Sequence, residues 1–556
     1  MKLISFRLAF GLVALLFLSQ CAKRGAPTGG PFDTIPPVLV NASPKQNTVF
    51  FDKEKFELIF DEYVTLKDIT KQLIISPPME SSSYSTYPQT GVSKKVSLVF
   101  KDSLQEETTY TFNFGESIQD YNEGNILSYF SYTLSTGAII DSLGFRGRVT
   151  DAFLADTPPY VSLQLYPVDS TFNDSTIYTQ KPLYVANTLD STLYQFQNLK
   201  AGTYELIALL DNASNYYFDQ NIDKIGFVGK RIELPGDSIV DLRIFNERVN
   251  FSWDKPFFIN DHHITLPYFG HYDKQPMEMI SEVPDGFESL ITRNRETDSL
   301  NYWFVNGPKD SIQFQYPFKD SLRMHTVKYS QPIPDSLVLR RSGSKTLLLK
   351  DSVLISSNLP IVKVDDTRVR VRNQDSLYLK PKLILHPNKD QIRITIPLEP
   401  NDRYQFEILP NAFFDFFGAT NDSLSFELNT NKYEDYGNLN VQFKNFDAVP
   451  LVIDLLDSED NVIRRVTDPL ENNRYSFDYL EPGQYMIRVI IDSNDNNQWD
   501  TGNYLDKIQP EEVFYLTQEI DLRANWDVNQ VFDPIQIRRD RLKNPAVPEG
   551  SEGALD

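Results

Sequence analysis

Two stretches of the chain are written twice, and that repetition limits the folds open to it. Leu104, Tyr110, Phe112, Gly124 and Thr136 return as Leu398, Tyr404, Phe406, Gly418 and Thr430, all at one offset of 294 residues. Asp415 lies one place from the position that answers Asp120. A second pattern, Leu199-x-x-Gly202-x-Tyr204 running through an apolar stretch to Asp211, returns as Leu480-x-x-Gly483-x-Tyr485 running to Asp492 at an offset of 281. Phe218-Asp219 answers Trp499-Asp500, and after a two-residue shift Asp223-Lys224-Ile225 answers Asp506-Lys507-Ile508. Each pattern joins a glycine turn to a period-two run, so each copy is a strand-built unit. The chain therefore carries two kinds of unit in the order first, second, unplaced, first, second.

Short runs such as Phe56–Phe60 and Lys95–Phe100 suit half-buried strands. The 29 Tyr and 38 Phe favour strands and the 34 Pro and 24 Gly supply turns, while no sustained 3.6-residue periodicity is present. The fold class expected is all-β, a tandem array of β-sandwich domains. The hairpin Leu104…Thr-Tyr110-x-Phe112…Asp120…Gly124-Asn125…Thr136-Gly137 resembles the bacterial Ig-like domain of the surface-layer-protein type. That resemblance implies an Ig-like domain over 38–137 and a diverged second copy over 341–431. The Leu-x-x-Gly-x-Tyr turn into an apolar strand resembles the transthyretin-like, carboxypeptidase-regulatory type of sandwich, implying copies over 143–250 and 436–530. Residues 251–340 form an unassigned β domain, and the polar stretch 536–556 is expected to be a disordered tail.

The N-terminus adds an address. Lys2 and Arg7 precede an apolar core, Leu8–Leu18, too short for the ~20 residues of a membrane span. Leu18-Ser19-Gln20-Cys21 resembles the bacterial lipobox, with Gln20 departing from the small residue usual before the cysteine. The resemblance implies a signal peptide over 1–20, a lipid-modified Cys21 and a flexible Gly/Pro-rich tether over 21–37. Cys21 is the only cysteine in 556 residues, so no disulfide forms within the chain. The start Cys-Ala-Lys-Arg-Gly-x-Pro-Thr-Gly-Gly-Pro is similar to that of Ig-like-domain lipoproteins of the Bacteroidota. This implies anchoring in the outer membrane. The absence of acidic residues directly after Cys21 favours the periplasmic leaflet over the cell surface.

The net charge of −22 becomes −24 once the leader with Lys2 and Arg7 is removed, a balance that opposes contact with nucleic acid and with anionic lipid. Asp492, Asn494, Asn496 and Asp500 stand at relative positions 1, 3, 5 and 9, the spacing by which a loop converges oxygens on calcium. Position 12 is Asn503 and position 6 is Asn497, so the pattern is incomplete, and an Asn/Asp hairpin satisfied by its own backbone is the competing reading. No other cofactor is expected. His262, His263 and His271 cluster beside Asp261 and Asp273 without the spacing of a metallohydrolase. No nucleophile motif or phosphate loop is present, and adjacent acids such as Asp61-Glu62 point to opposite faces of a strand. The chain is not expected to be an enzyme.

Asp-Ser before an apolar residue or threonine recurs, with Ser103, Ser142, Ser299, Ser321, Ser336, Ser376 and Ser423 among the instances. It serves as a side-chain turn into a strand and also resembles the O-glycosylation sequon of exported Bacteroidota proteins. The function expected is a lipid-anchored scaffold, an accessory subunit of an envelope protein assembly or secretion complex, with other envelope proteins as partners. The alternatives are a glycan-binding surface lipoprotein using Trp253, Trp303 or Trp499 as a platform, and a hydrolase in 251–340.

Overall fold

The computed structural model describes residues 33–543, apart from 250, 261, 271, 273–276, 295–296, 319–320, 330–335 and 447–448. The body is β throughout. Helix among the described residues is confined to Ile69–Gln72, Thr176–Thr179, Pro534–Lys543 and two short 3-10 turns. None of these is long and apolar enough to cross a membrane. The chain divides into two compact units, the first made mainly of residues up to Gly144 and the second of most of the remainder.

In the first unit one sheet runs Leu39–Ser43, Lys55–Leu66, Ser93–Phe100, Tyr84–Tyr87 in spatial order, and a second runs Ile74–Ser76, Thr109–Asn113, Ser131–Ser135. Alternate residues of the long strand, Phe56, Leu58 and Phe60, turn inward and are buried, as a period of two demands. Phe56 stacks on Tyr132 at 4.3 Å between ring centres and leans on Phe112 at 5.0 Å, filling the space between the sheets. The residues that repeat at 294 are the ones that close the hairpin. The Tyr110 hydroxyl accepts from the Gln105 amide at 3.0 Å, and the Thr136 hydroxyl donates to the Gln105 carbonyl at 2.7 Å while accepting from the Thr108 amide.

The second unit contains a sandwich with the same strand order. Leu339–Ser342, Val353–Ser357, Gln391–Thr395 and Lys382–Leu385 form one sheet, and Val369–Arg372, Arg403–Ile408 and Leu424–Thr430 lie together in the other. Its Tyr404 hydroxyl accepts from the Glu399 amide at 2.7 Å, and Thr430 bonds the Glu399 carbonyl and the Asp402 amide as its counterpart does. The one-place slip between Asp120 and Asp415 also has a cause. Asp120 accepts from the amides of Asn122, Glu123 and Asn125, whereas Asp415 accepts from Phe417 and Ala419 in a loop one residue shorter. Both loops turn on a glycine at positive φ, Gly124 at 81° and Gly418 at 86°.

The 281-residue repeat is likewise a repeat of topology. Ser162–Pro167, Gly202–Leu210 and Lys224–Phe227 are neighbours in one sheet, as are Leu451–Leu456, Gly483–Ile491 and Val513–Tyr515 in another. In each copy the first strand pairs in parallel with the last: Leu143–Asp151 with Leu242–Ile244, and Gly437–Phe443 with Asp527–Phe532. Residues 251–340 build a further sandwich around Trp253, Ile264, Tyr302 and Phe314. One part of the expected tail requires correction. Residues 536–543 belong to the helix Pro534–Lys543, whose Ile537 is 3% exposed in the core of the last sandwich. Asp533 caps it by accepting from the amides of Ile535 and Gln536, and proline occupies the first helical position, where no amide is needed. The rest of the expected tail, the leader, Cys21 and most of the tether lie outside the described residues.

Candidate functional site

The Asp/Asn loops follow the glycine–tyrosine strands of the two repeats and are built alike. Asp211 accepts from the Tyr216 amide and Asn215 from the Tyr217 amide. Asp492 accepts from Asn496 and Asn497, and Asn496 accepts from Gln498. A further carboxylate braces each loop from outside. In the first copy Asp223 accepts from the amides of Asn212 and Asp219. In the second the same amides, those of Ser493 and Asp500, go to Glu511 at 2.6 and 3.0 Å. Glu511 is invisible to the offset because it comes from a different place in the sequence. Of the expected calcium ligands, Asp500 Oδ2 accepts from the side-chain amides of both Asn494 and Asn496 at 2.6 Å, and its Oδ1 meets Arg248 at 3.0 Å. Among the described residues no group of three or more His, Cys, Asp or Glu side chains could hold a metal.

The second loop does something the first does not. Its two-residue insertion between Asp500 and Asp506 carries Tyr504, which is 0% exposed and packs into the core of the first repeat. Its ring meets Phe227 edge-on at 5.3 Å, its hydroxyl lies 3.4 Å from Glu205, and its amide donates to Glu247. Gly502 allows the approach, since a Cβ there would fall 2.6 Å from the Phe245 ring. Lys507 covers the plug, 3.5 Å from the Tyr504 ring centre and 2.8 Å from Asp174. Its counterpart Lys224 instead pairs with Asp151 inside its own sandwich at 2.5 Å. Trp499 packs on Phe153 at 4.8 Å, and Gln509 donates to the Phe227 carbonyl at 2.9 Å. Two repeats 281 residues apart are thus joined by an insertion that the sequence showed only as a shift in register.

Charge supports the joint. Asp454 is fully buried and is held by Arg465, which donates to both of its oxygens, and by Arg488, whose Nε and Nη2 both donate to Oδ2. Burial pushes its carboxyl up, but the hydrogen bonds from Arg465 and Arg488 outweigh that and leave it below its ordinary value. Arg488 lies 4.5 Å from the Phe153 ring centre and donates to the Tyr515 hydroxyl, which donates to the Phe153 carbonyl at 2.8 Å. Glu205 and Glu247, which face the plug, are pushed up by burial, opposed at Glu205 by Lys507 and at Glu247 by the Tyr504 amide.

The remaining expected residues fall as follows. Ser103, Ser142, Ser321, Ser336, Ser376 and Ser423 are exposed; Ser103 follows the strand Ser93–Phe100, and the others stand at or within three residues before strand starts. Ser299 requires correction as a modification site. It is 2% exposed, within the strand Ser299–Val305, and its hydroxyl is shared with Thr297 at 2.8 Å. His263 stacks on Trp303 at 4.0 Å and bonds Asn301, whereas His262 faces Phe304 and Phe417, so the two do not converge; His271 lies outside the described residues. Trp253 and Trp303 are buried and Trp499 is half-buried against Phe153, so none is an open platform.

Comparison with known proteins bears on the first unit. Residues 33–136 match the bacterial Ig-like domain family. No curated protein matches the sequence. Among solved structures, the TIE protein of Bacillus anthracis is 9% identical, with 91% of this chain and 76% of that chain covered and a TM-score of 0.13. The major pilin subunit of Bacillus cereus is 10% identical over 70% of this chain and 99% of that one, with a TM-score of 0.13. A surface-layer protein is 11% identical over 88% and 68%, with a TM-score of 0.14. At such TM-scores the sandwich architecture rests on the strand orders described above.

Proposed function

We propose that this chain is a lipid-anchored scaffold of the outer membrane in a Bacteroidota-like bacterium, acylated at Cys21 and facing the periplasm. It acts by holding its two transthyretin-like sandwiches in fixed relation so that other envelope proteins dock on them, as in an assembly or secretion complex. The observation that carries this reading is the Tyr504 plug, which spends a fully buried tyrosine on joining two repeats and on no bond-making group. A joint of that kind serves a chain whose product is shape, because preorganised surfaces lose less freedom on binding. O-glycans on Ser103, Ser142, Ser321, Ser336, Ser376 and Ser423 would decorate turns and strand entries exposed to solvent. Calcium at Asp492, Asn494, Asn496 and Asp500 would require both asparagine amides to turn their carbonyl oxygens toward the ion.

Cross-linking in intact cells, followed by purification from membranes, tests the proposal. The expected result is a small set of envelope proteins captured by the wild-type chain and lost with C21A, which is released from the membrane. Equal capture by wild type and C21A, or recovery of the wild-type chain without any envelope protein, would overturn it.

A further inference from the structure

The two Ig-like sandwiches carry opposite charge surpluses. Between Leu339 and Thr430 the second has 13 Lys and Arg against 11 Asp and Glu, in a chain whose net charge is −22. Between Leu39 and Ser135 the first has 8 against 13. In the sheet of Leu339–Ser342, Val353–Ser357, Gln391–Thr395 and Lys382–Leu385, alternate residues such as Ile355 and Ile394 fill the core of the second sandwich. The residues between them face outward, and they include Arg340, Arg393 and Lys382 and no acid. Arg340 pairs in register with Ser356, Ser356 with Gln391, Arg393 with Ile384, and Thr395 with Lys382. With strands ~4.8 Å apart and a rise of ~3.4 Å per residue, the three cations lie on one diagonal in steps of about 12 and 8 Å. All three are exposed, and so is Ile384 beside Arg393.

The first sandwich presents the converse. Val64 pairs with Asp120 and the Tyr121 amide donates to the Tyr63 carbonyl at 2.9 Å, which sets Asp61 and Glu62 beside the turn that holds Asp120 and Glu123. Asn125 of the same turn donates to the Asp33 carbonyl at 3.0 Å and so brings a fifth acid alongside. Burial, and then Asp120, Asp61, Asp33 and Glu123, hold the Glu62 carboxyl above its ordinary value, and burial with Asp120 and Asp33 does the same to Glu123. The cation that comes near, Lys94, donates to the Asp61 carbonyl at 2.6 Å and not to a carboxylate. Tyr63 and Tyr121 stand exposed among these acids, at 54% and 60%. Among the described residues none of the five acids and none of the three cations of the other sandwich has an ion-pair partner. The acid-free face offers arginine, lysine and isoleucine, and the cation-poor patch offers carboxylates and tyrosine rings. The two match in charge and in the Arg–Tyr contacts that protein interfaces favour.

We infer that copies of this chain associate head to tail, the cationic sheet face of the second Ig-like sandwich of one copy docking on the acidic tyrosine patch of the first Ig-like sandwich of another. The inference is independent of the anchor and of the scaffold reading. Such a contact joins two different surfaces, so each copy keeps one of each free and the assembly extends beyond a dimer. It is tested by sedimentation velocity on residues 21–556 carrying C21A, so that no lipid drives association. The expected result at about 100 μM protein and ~50 mM salt is a series of species larger than a dimer, unchanged by EDTA and weakened about tenfold or more at ~500 mM salt. R340Q/K382Q/R393Q and E62Q/E123Q should each remain monomeric, with circular dichroism as in wild type. An equal mixture of the two variants should form dimers and nothing larger, because one intact face then meets one intact patch. A wild-type chain that stays monomeric would overturn the inference, as would either variant associating as wild type does or a mixture that stays monomeric. Loss of the larger species in EDTA would make the acidic patch a divalent-cation bridge and overturn it as well.

Discussion

Replacing Tyr504 by alanine removes the side chain that enters the first repeat from the second. The ring is 0% exposed and contacts Phe227 at 5.3 Å, so its loss leaves an aromatic-sized void in a core that belongs to the other repeat. Truncations of this kind cost about 3–5 kcal/mol. The phenol contributes little of that, because its 3.4 Å contact with Glu205 is at the limit of a hydrogen bond. For a cooperative unit of roughly 200 residues, about 2–4 °C are lost per kcal/mol, so the transition of the joined repeats should fall by about 6–20 °C. Differential scanning calorimetry of the full chain reads this directly, and the two repeats should also begin to melt separately once uncoupled. Y504F keeps the ring and should stay within about 1 kcal/mol of wild type. The reasoning fails if Y504A melts as wild type does, or if Y504F is as damaging as Y504A.

Other consequences are as specific. D454N leaves Arg488 buried without its counter-charge and should destabilise the last sandwich by about 3–5 kcal/mol in urea titration, far more than removal of an exposed pair such as Arg523–Asp521. Glu205 and Glu247 have raised values in the folded state, so the unfolded chain holds fewer protons between the ordinary glutamate value and the raised one. Stability of the joint should therefore fall as pH rises through that window and level off above it, and E247Q should flatten the dependence when melting is followed from pH 4 to 8. Y110F or Y404F strands a backbone amide, at Gln105 or Glu399, and should cost about 1–3 kcal/mol in the sandwich that carries it. Because Asp492 and Asp500 already accept from protein donors on both oxygens, millimolar calcium should leave the melting temperature unchanged; a rise that D500N abolishes would place a cation in the loop.

The parts of the fold that sequence made legible are those with local causes. Tyr110 and Tyr404 stand out because each bonds an amide five residues back, and that spacing survives duplication. The strands of each sandwich follow from alternation, as at Phe56, Leu58 and Phe60. What sequence hid depends on distant partners. Tyr504 looks like one more loop aromatic until the first repeat is placed beside it. Ser299 has the same Asp-Ser signature as the exposed serines, and only its strand pairing buries it. No apolar stripe marks the helix Pro534–Lys543 in the sequence: among its described side chains Ile537 enters a core while Ile535 is left 45% exposed. Trp303 lies outside its own sandwich's core cluster and is covered by His263, with Phe417 of the neighbouring sandwich alongside. Glu511 braces its loop from the far side of an insertion, where no offset points to it.

Intact-mass and peptide mass spectrometry of the chain extracted from membranes examines the anchor itself. The expected result is a mature chain beginning at Cys21, carrying diacylglycerol on its sulfur and an acyl group on its amine. An unmodified residue 21 in protein recovered free of membrane would contradict the proposed anchored scaffold.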